Sequence, residues 1–237
     1  MVTKYGTLNA DKLYGTSSAD VLWGRDGDDT IFGYNGNDMI HGEKGNDSIV
    51  GGGGSDTLYG EAGNDQISGD AGADQIFGGA GSDDLIGGAG NDTIHGGDGV
   101  DFINGDEGAN VIFGDAGNDW IHASVNGSAT VDGGAGNDTI YGGNQDDFTG
   151  GAGADTFAFW DFYQGDSYNA IIRDFQDGVD KIEIRTPEHL TFKDIQVSSY
   201  LGGVSISVGK VNVSYYGDIF LEHVNIHDIT AADFNFI

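Results

Sequence analysis

Aspartate recurs in this sequence every nine residues: Asp11, Asp20, Asp29, Asp38, Asp47, Asp56, Asp65, Asp74, Asp83, Asp92, Asp101 and Asp119, with Asn110 in the one place that departs. Each sits five residues after a glycine in a series that runs without a gap from Gly6 to Gly114. A second glycine stands three residues after the first in the units from Gly27 to Gly117, while Asn9 and Ser18 replace it in the first two units, which read as a worn cap. Such a loop offers one carboxylate and several backbone carbonyls, no thiol and almost no imidazole. Hard oxygen donors of this kind suit Ca²⁺, which accepts six to eight oxygens in flexible geometry, better than zinc or copper. Asp and Gly are also ordinary turn formers. Turn chemistry does not, however, require aspartate at all but one of the equivalent places.

The elements that must hold these loops follow from the rest of the unit. The eighth place is always aliphatic: Leu13, Leu22, Ile31, Ile40, Ile49, Leu58, Ile67, Ile76, Leu85, Ile94, Ile103, Ile112 and Ile121. One inward Leu or Ile between two outward neighbours makes a very short strand, and the six residues before it must turn the chain, which calls for glycines with access to positive φ. A unit this small cannot bury its own apolar face and must stack on its neighbours. The expected fold is therefore all-β: a right-handed parallel coil with two nonapeptides per turn, followed by a β-rich C-terminal cap. The division is expected at residues 1–159 and 160–237.

Units such as GGAGNDTIH (Gly87 to His95) and GEAGNDQIS (Gly60 to Ser68) resemble the GGxGxDxUx nonapeptide of the repeats-in-toxin (RTX) proteins, over Gly6 to roughly Phe159. The resemblance implies a β-roll with calcium between successive loops on each edge. Loops eighteen residues apart share an edge, so one column contains Asp29, Asp47, Asp65, Asp83, Asp101 and Asp119 and the other Asp38, Asp56, Asp74, Asp92 and Asn110. The first column then gives five sites and the second four, about nine ions in the regular core. The Asn110 site keeps an oxygen but loses a charge. After Ile121 the beat slips through Ala123 to Asp132, where Ala129 stands in an aspartate place, and it resumes with Asp138 and Asp155, which extend the candidate ligand set.

Charge agrees with this reading. The formal net charge is −30, and no Lys or Arg occurs from Gly45 through Ile172. Nucleic acid and anionic membrane surfaces are poor partners for such a chain. Without metal, stacked loops would set carboxylate on carboxylate, and one core residue in nine is a thin core, so metal binding must supply a large share of the folding free energy. With a dissociation constant of roughly 0.1 mM and free calcium near 1 mM, each site contributes about 1.4 kcal/mol and nine about 13 kcal/mol. At cytosolic calcium that contribution nearly vanishes, so the expected location is secreted, extracellular or at the cell surface. There is no cysteine, no apolar stretch long enough for a membrane span and no secretory leader plan in MVTKYGTLNA. The RTX resemblance implies export by a type I transporter reading an uncleaved C-terminal signal, and ITAADFNFI (Ile229 to Ile237) is similar to the endings of such substrates.

Past Trp160 ordinary β-signals replace the glycine beat. Asn169 to Phe175 and Val179 to Ile184 flank Asp177-Gly178 and predict a hairpin. Val204, Ile206 and Val208 alternate, as do Val211, Val213 and Tyr215, which with Gly209-Lys210 between them predicts a second hairpin. Pro187 falls in a loop. Asn126-Gly127-Ser128 matches a glycosylation sequon but reads as a turn. Asp174 and Asp180 read as a solvated turn, with a further ion as the alternative.

Signs of catalysis are lacking: no GxSxG, HExxH, cysteine nucleophile or phosphate loop occurs. His223 and His227, four apart, would share one face of a strand, and surface histidines are the plainer reading than a metal pair. RTX toxins, proteases, lipases and alginate epimerases carry their active domains N-terminal to such repeats, so the expectation is no enzyme in these residues. The chain is then a calcium-binding secretion, stabilising or interaction module, or the C-terminal part of a larger secreted enzyme or toxin. One face carries Trp23, His41, Tyr59, Phe77, His95 and Phe113 at eighteen-residue intervals. This ladder either stabilises the sheet or forms a contact face for protein or saccharide, with Trp23, Tyr59, Phe77 and Phe113 as the contact residues.

Overall fold

The computed structural model describes residues 1–124, 127–143, 145–160, 168–185, 191–200, 202–208 and 217–237. Among them the strands form two sheets, one of thirteen strands beginning at Thr3–Tyr5 and one of eleven beginning at Lys12–Thr16. Through the regular repeats successive strands alternate between the sheets, and neighbours within a sheet run parallel, eighteen residues apart: Leu58 faces Ile76 and Ile67 faces Leu85. The molecule is a parallel β-roll, as the period implies.

The strands are longer than the expected three residues. Thr57–Ala62 and Gln66–Ala71 are typical: each begins at the seventh place, crosses the opening glycine and ends at the third place of the next unit. Pairing skips the glycine, as between His41↔Tyr59 and Glu43↔Glu61, so the strand bends there without leaving the sheet. The aliphatic residues from Leu22 to Ile121 form one buried file, none more than 2% exposed. Toward the C-terminus Phe148, Phe157 and Phe159 take over the core, with ring centroids 6.1–6.3 Å apart for the pairs that include Phe148.

The slip in the repeat is absorbed without breaking either sheet. Val111 pairs with Thr130, nineteen residues on, and Thr130 with Asp147, only seventeen on. The inserted residue and the missing one compensate.

Parallel stacking continues past the last glycine unit. Tyr168–Ile172 lies beside Asp147–Thr149, Lys181–Arg185 beside Thr156–Trp160, Gly217–Glu222 beside Tyr168–Ile172, and Phe234–Phe236 beside Lys181–Arg185. The hairpin expected at Asp177-Gly178 is therefore not formed. The turn exists, with Gly178 at φ 74° and the Gln176 carbonyl accepting from Val179 N and Asp180 N. Its two flanks enter opposite sheets, because the backbone of each is bonded to the coil before it: Ile171 N to Asp146 O and Lys181 N to Asp155 O. Gly203–Val208 does pair antiparallel, with Ile195–Tyr200 and with Gly217–Glu222. Val211 to Tyr215, Gly209-Lys210, Pro187 and Asn126 lie outside the described residues.

Candidate metal centre

Every sixth-place aspartate from Asp20 onward is buried, no more than 2% exposed. Its two carboxylate oxygens do different things. Oδ1 accepts a hydrogen bond from the backbone N–H of the residue one coil earlier. On the first edge this chain of bonds runs from Asp11 N through Asp29, Asp47, Asp65, Asp83, Asp101, Asp119, Asp138 and Asp155 to Asp180 Oδ1, at 2.7–3.1 Å. On the second edge it runs from Val2 N through Asp20, Asp38, Asp56, Asp74 and Asp92 to Asn110 Oδ1, at 2.5–2.9 Å.

Oδ2 is buried and accepts nothing in Asp29, Asp38, Asp47, Asp56, Asp65, Asp74, Asp83, Asp92, Asp101, Asp119, Asp138 and Asp155. In all of these units but that of Asp155, a Cβ placed on the opening glycine would crowd both this oxygen and the carbonyl of the opening glycine one coil on, as at Gly60 with Asp65 Oδ2 and Gly78 O. Glycine is required there by close approach. A carboxylate and a carbonyl oxygen thus crowd one place with no donor between them, an arrangement that costs several kcal/mol unless a cation shares it. The donor set is all hard oxygen and fits calcium.

The carboxyl groups register the same frustration. Burial first, then the like charge of neighbouring coils, pushes Asp65, Asp74 and Asp101 up to about 7 and Asp47, Asp56, Asp119 and Asp138 up to about 6. Burial also raises Asp29, Asp38, Asp83, Asp92 and Asp155.

Several loops are closed by donors instead. Asp11 Oδ2 accepts from Thr7 N at 2.5 Å and Oγ1 at 2.8 Å, and Asp20 Oδ2 from Thr16 N at 2.6 Å and Oγ1 at 2.8 Å. The backbone and hydroxyl bonds from Thr7 hold Asp11 below the usual carboxylate range. Asn110 departs from the expectation that it keeps an oxygen for an ion: its Oδ1 is taken by Asp92 N, and its Nδ2 donates to Gly105 O at 2.8 Å. One coil on, the Ser124 hydroxyl donates to Gly108 O at 3.0 Å. Ala129 supplies no carboxylate, and its N–H bonds Asp146 Oδ1 at 2.7 Å. Asp174 and Asp180 are not left to solvent either. Asp174 accepts from Gly150 N and Gly151 N, and buried Asp180 accepts from Asp155 N and Gln176 N.

Among the described residues no group of three or more His, Asp or Glu side chains converges as a metal cluster. The candidate loops draw on a carboxylate and backbone carbonyls, so such a cluster is not needed. His223 is not on a strand: it follows Gly217–Glu222 at φ 60°, and both it and His227 are exposed. Also unforeseen is the work of the fifth place. Asn37, Asn46, Asn64, Asn91, Asn118 and Asn137 each accept, through Oδ1, the backbone N–H of the next coil on the same edge. The recurring Asn-Asp pair was the visible signal.

The aromatic ladder forms as the spacing implies. Trp23, His41, Tyr59, Phe77, His95 and Phe113 stack with centroids 3.8–5.2 Å apart and planes within 11° of parallel. The rings are half-buried rather than freely exposed, because each covers its neighbour's face and shows its edge outward. His41 Nδ1 meets Glu61 Oε1 at 2.9 Å and His95 Nδ1 meets Asp115 Oδ2 at 3.1 Å.

Among the described residues no helix is long and apolar enough to cross a membrane. Comparison with known proteins gives one sequence family, the RTX calcium-binding nonapeptide repeat, whose model (4 copies) matches overlapping segments from residue 5 to residue 157. No curated protein matches. The similar solved structures include the AlgE6R3 subunit of the Azotobacter vinelandii mannuronan C5-epimerase (22% identity, 58% of this chain and 78% of that one, TM-score 0.28) and the extracellular lipase LipA of Serratia marcescens (15% identity, 94% of this chain, TM-score 0.29). The chain spans 39% of the lipase. The repeat match covers about two-thirds of the 237 residues, and on that ground the chain belongs to the RTX calcium-binding nonapeptide repeat family.

Proposed function

We propose that this protein is a secreted, non-catalytic calcium-loaded module that stays unfolded at cytosolic calcium and folds outside the cell. It then acts as a secretion, stabilising or interaction module, alone or as the C-terminal part of a larger secreted enzyme or toxin. The observation that carries this is the set of buried, partnerless carboxylate oxygens, all but that of Asp155 set against a glycine carbonyl. Asp29, Asp47, Asp65, Asp83, Asp101, Asp119, Asp138 and Asp155 would hold ions along the first edge, and Asp38, Asp56, Asp74 and Asp92 along the second. Asn110, whose amide already satisfies Gly105 O, is not among these ligands in the present reading. When bound, calcium supplies the positive charge these loops lack. The chain's own part is to hold Oδ2 in place through the Oδ1 bond.

In this reading residues 1–159 form the ion-loaded roll and 160–237 a capping and secretion-signal region presented to a type I transporter. The ladder stabilises the sheet or meets a protein. A saccharide platform is less well supported, since the ring faces are already spent on one another. The test is circular dichroism with calcium titration: a largely disordered chain in chelator and β-structure at millimolar calcium, with magnesium a poor substitute because it demands tighter octahedral geometry. A chelated chain that kept its β-signal and a cooperative melt would refute the proposal.

A further inference from the structure

From Arg25 to Asp115 the second place of each unit lies in the left-handed region, where glycine is relaxed and a side chain is strained. On the second sheet, Tyr34 (φ 77°), Gly52 (φ 109°) and Asp70 (φ 67°) stand directly across from one another on three adjacent strands. Tyr34 and Asp70 keep side chains in this costly conformation, and the glycine between them leaves a gap. The result is a depression of about 530 Å³ with Phe32 and Tyr34 on one side, Asp70 on the other, and Gly52 and Gly53 as its floor.

Two strand spacings, roughly 9.5 Å, separate the strands that carry the walls, so the slot is the place of one missing side chain in the file. Tyr14 stacks on one face of Tyr34, with centroids 6.4 Å apart and planes at 19°. Strand order puts Gly52 on the opposite side, so the other face of Tyr34 looks into the slot. Ser68 Oγ donates to Asp70 Oδ1 at 2.7 Å and steadies the carboxylate. The slot cannot be closed by a side chain at Gly52, because a Cβ there would collide with the Tyr34 carbonyl.

We infer that this slot takes the guanidinium of an arginine presented by a basic partner segment, stacked on the Tyr34 ring and paired with Asp70. A guanidinium is planar, stacks on aromatic faces and bonds carboxylates with a fixed fork. The formal net charge of −30 exceeds the +18 that about nine bound Ca²⁺ would add, so the loaded chain stays acidic and charge complementarity selects a cation over an anionic sugar or phosphate. No Lys or Arg lies between Gly45 and Ile172 to compensate the acidic surface internally.

The test is an NMR titration of the calcium-saturated full chain in 0.15 M salt with a blocked Gly-Gly-Arg-Gly-Gly peptide and its lysine counterpart. The arginine peptide should shift the Gly52 and Gly53 amides and bind several-fold more tightly than the lysine peptide. Tyr34→Gly removes the ring while relaxing the backbone, so the variant still folds, and it should weaken binding between about 2- and 30-fold, the span of a cation–π contact. Asp70→Asn should also weaken it, and Asp84→Asn, outward on the same sheet, should leave it unchanged. Equal affinity for the two peptides, shifts spread along the acidic loops, or an indifferent Tyr34→Gly would each overturn the inference. So would a neutral maltooligosaccharide that moves the same amides when the arginine peptide does not.

Discussion

The division of labour within each aspartate separates two substitutions that are usually treated alike. In Asp74→Asn the amide oxygen can still accept from Asp56 N, as Asn110 Oδ1 accepts from Asp92 N, and the new Nδ2 can donate to the Gly69 carbonyl as Asn110 donates to Gly105 O. Only the ion is lost. With a site constant of roughly 0.1 mM and 1 mM calcium, that loss is about 1.4 kcal/mol. Asp74→Ala loses the ion and also strands the buried Asp56 N–H, a further 1–3 kcal/mol or so. Without calcium the order changes sign for the amide. Asp74→Asn removes an orphaned buried carboxylate that burial and its like-charged neighbours already disfavour, so the variant should be at least as stable as the parent, while Asp74→Ala remains worse. Urea melts at several calcium levels, beside calorimetric counting of ions, would show the Asn and parent curves crossing. If Asn and Ala cost the same at every calcium concentration, the separation of stitching oxygen from ion-binding oxygen is wrong.

Asn110→Asp should do the reverse, adding one ion by calorimetry and about 1.4 kcal/mol of calcium-dependent stability; an unchanged stoichiometry would contradict the account of that loop. Protons should partly replace calcium in chelator. The folded-state pKa values of Asp47, Asp56, Asp65, Asp74, Asp101, Asp119 and Asp138 lie above the unfolded value, so the metal-free roll is favoured fully below about pH 4 and loses this contribution as pH rises through 6 to 7. Lowering the pH of the chelated chain from 8 to 5 should raise its β-signal in circular dichroism, and a flat or falling signal would count against it. Thr16→Val removes the hydroxyl that closes the Asp20 loop and should cost about 1 kcal/mol at every calcium level, so a loss seen only in calcium would show that this loop binds an ion after all.

How much of this was legible in the sequence depends on whether neighbours in space sit at a constant distance along the chain. From Asp29 to Asp119 they do, and a nine-residue period read as two units per coil places both columns correctly. Asp155 and Asp180 are bonded across twenty-five residues, a spacing no period announces, and the Asp177-Gly178 turn looked like a hairpin because local turn chemistry does not say which sheet its flanks will join. The strands outgrew three residues because a bend at glycine does not interrupt pairing on either side of it. That Asn110 would close its own loop was also invisible, since the composition shows a missing charge but not the new donor.

From Asn110 onward, through Ser124, Ala129 and Asp146, whose Oδ2 accepts from Gly143 N, the second edge offers no partnerless carboxylate oxygen, while the first still offers Asp119, Asp138 and Asp155. In a linear array each coil senses the next through their shared boundary, and in the proposed reading that boundary carries two signals, one per edge, only over the coils with Asp38 to Asp92. Across this stretch, news of an ion gained or lost at Asp92 has no electrostatic relay along the second edge, while Asp101, Asp119 and Asp138 still pass it along the first. In the proposed reading the roll is therefore a block relayed along both edges up to Asp92, followed by a block relayed along one edge alone. On falling calcium, amide exchange should deprotect the coils carrying Asp38 to Asp92 in one step and those beyond Asp92 in another, so that the protein reports calcium over a broader range than an uninterrupted roll of equal length.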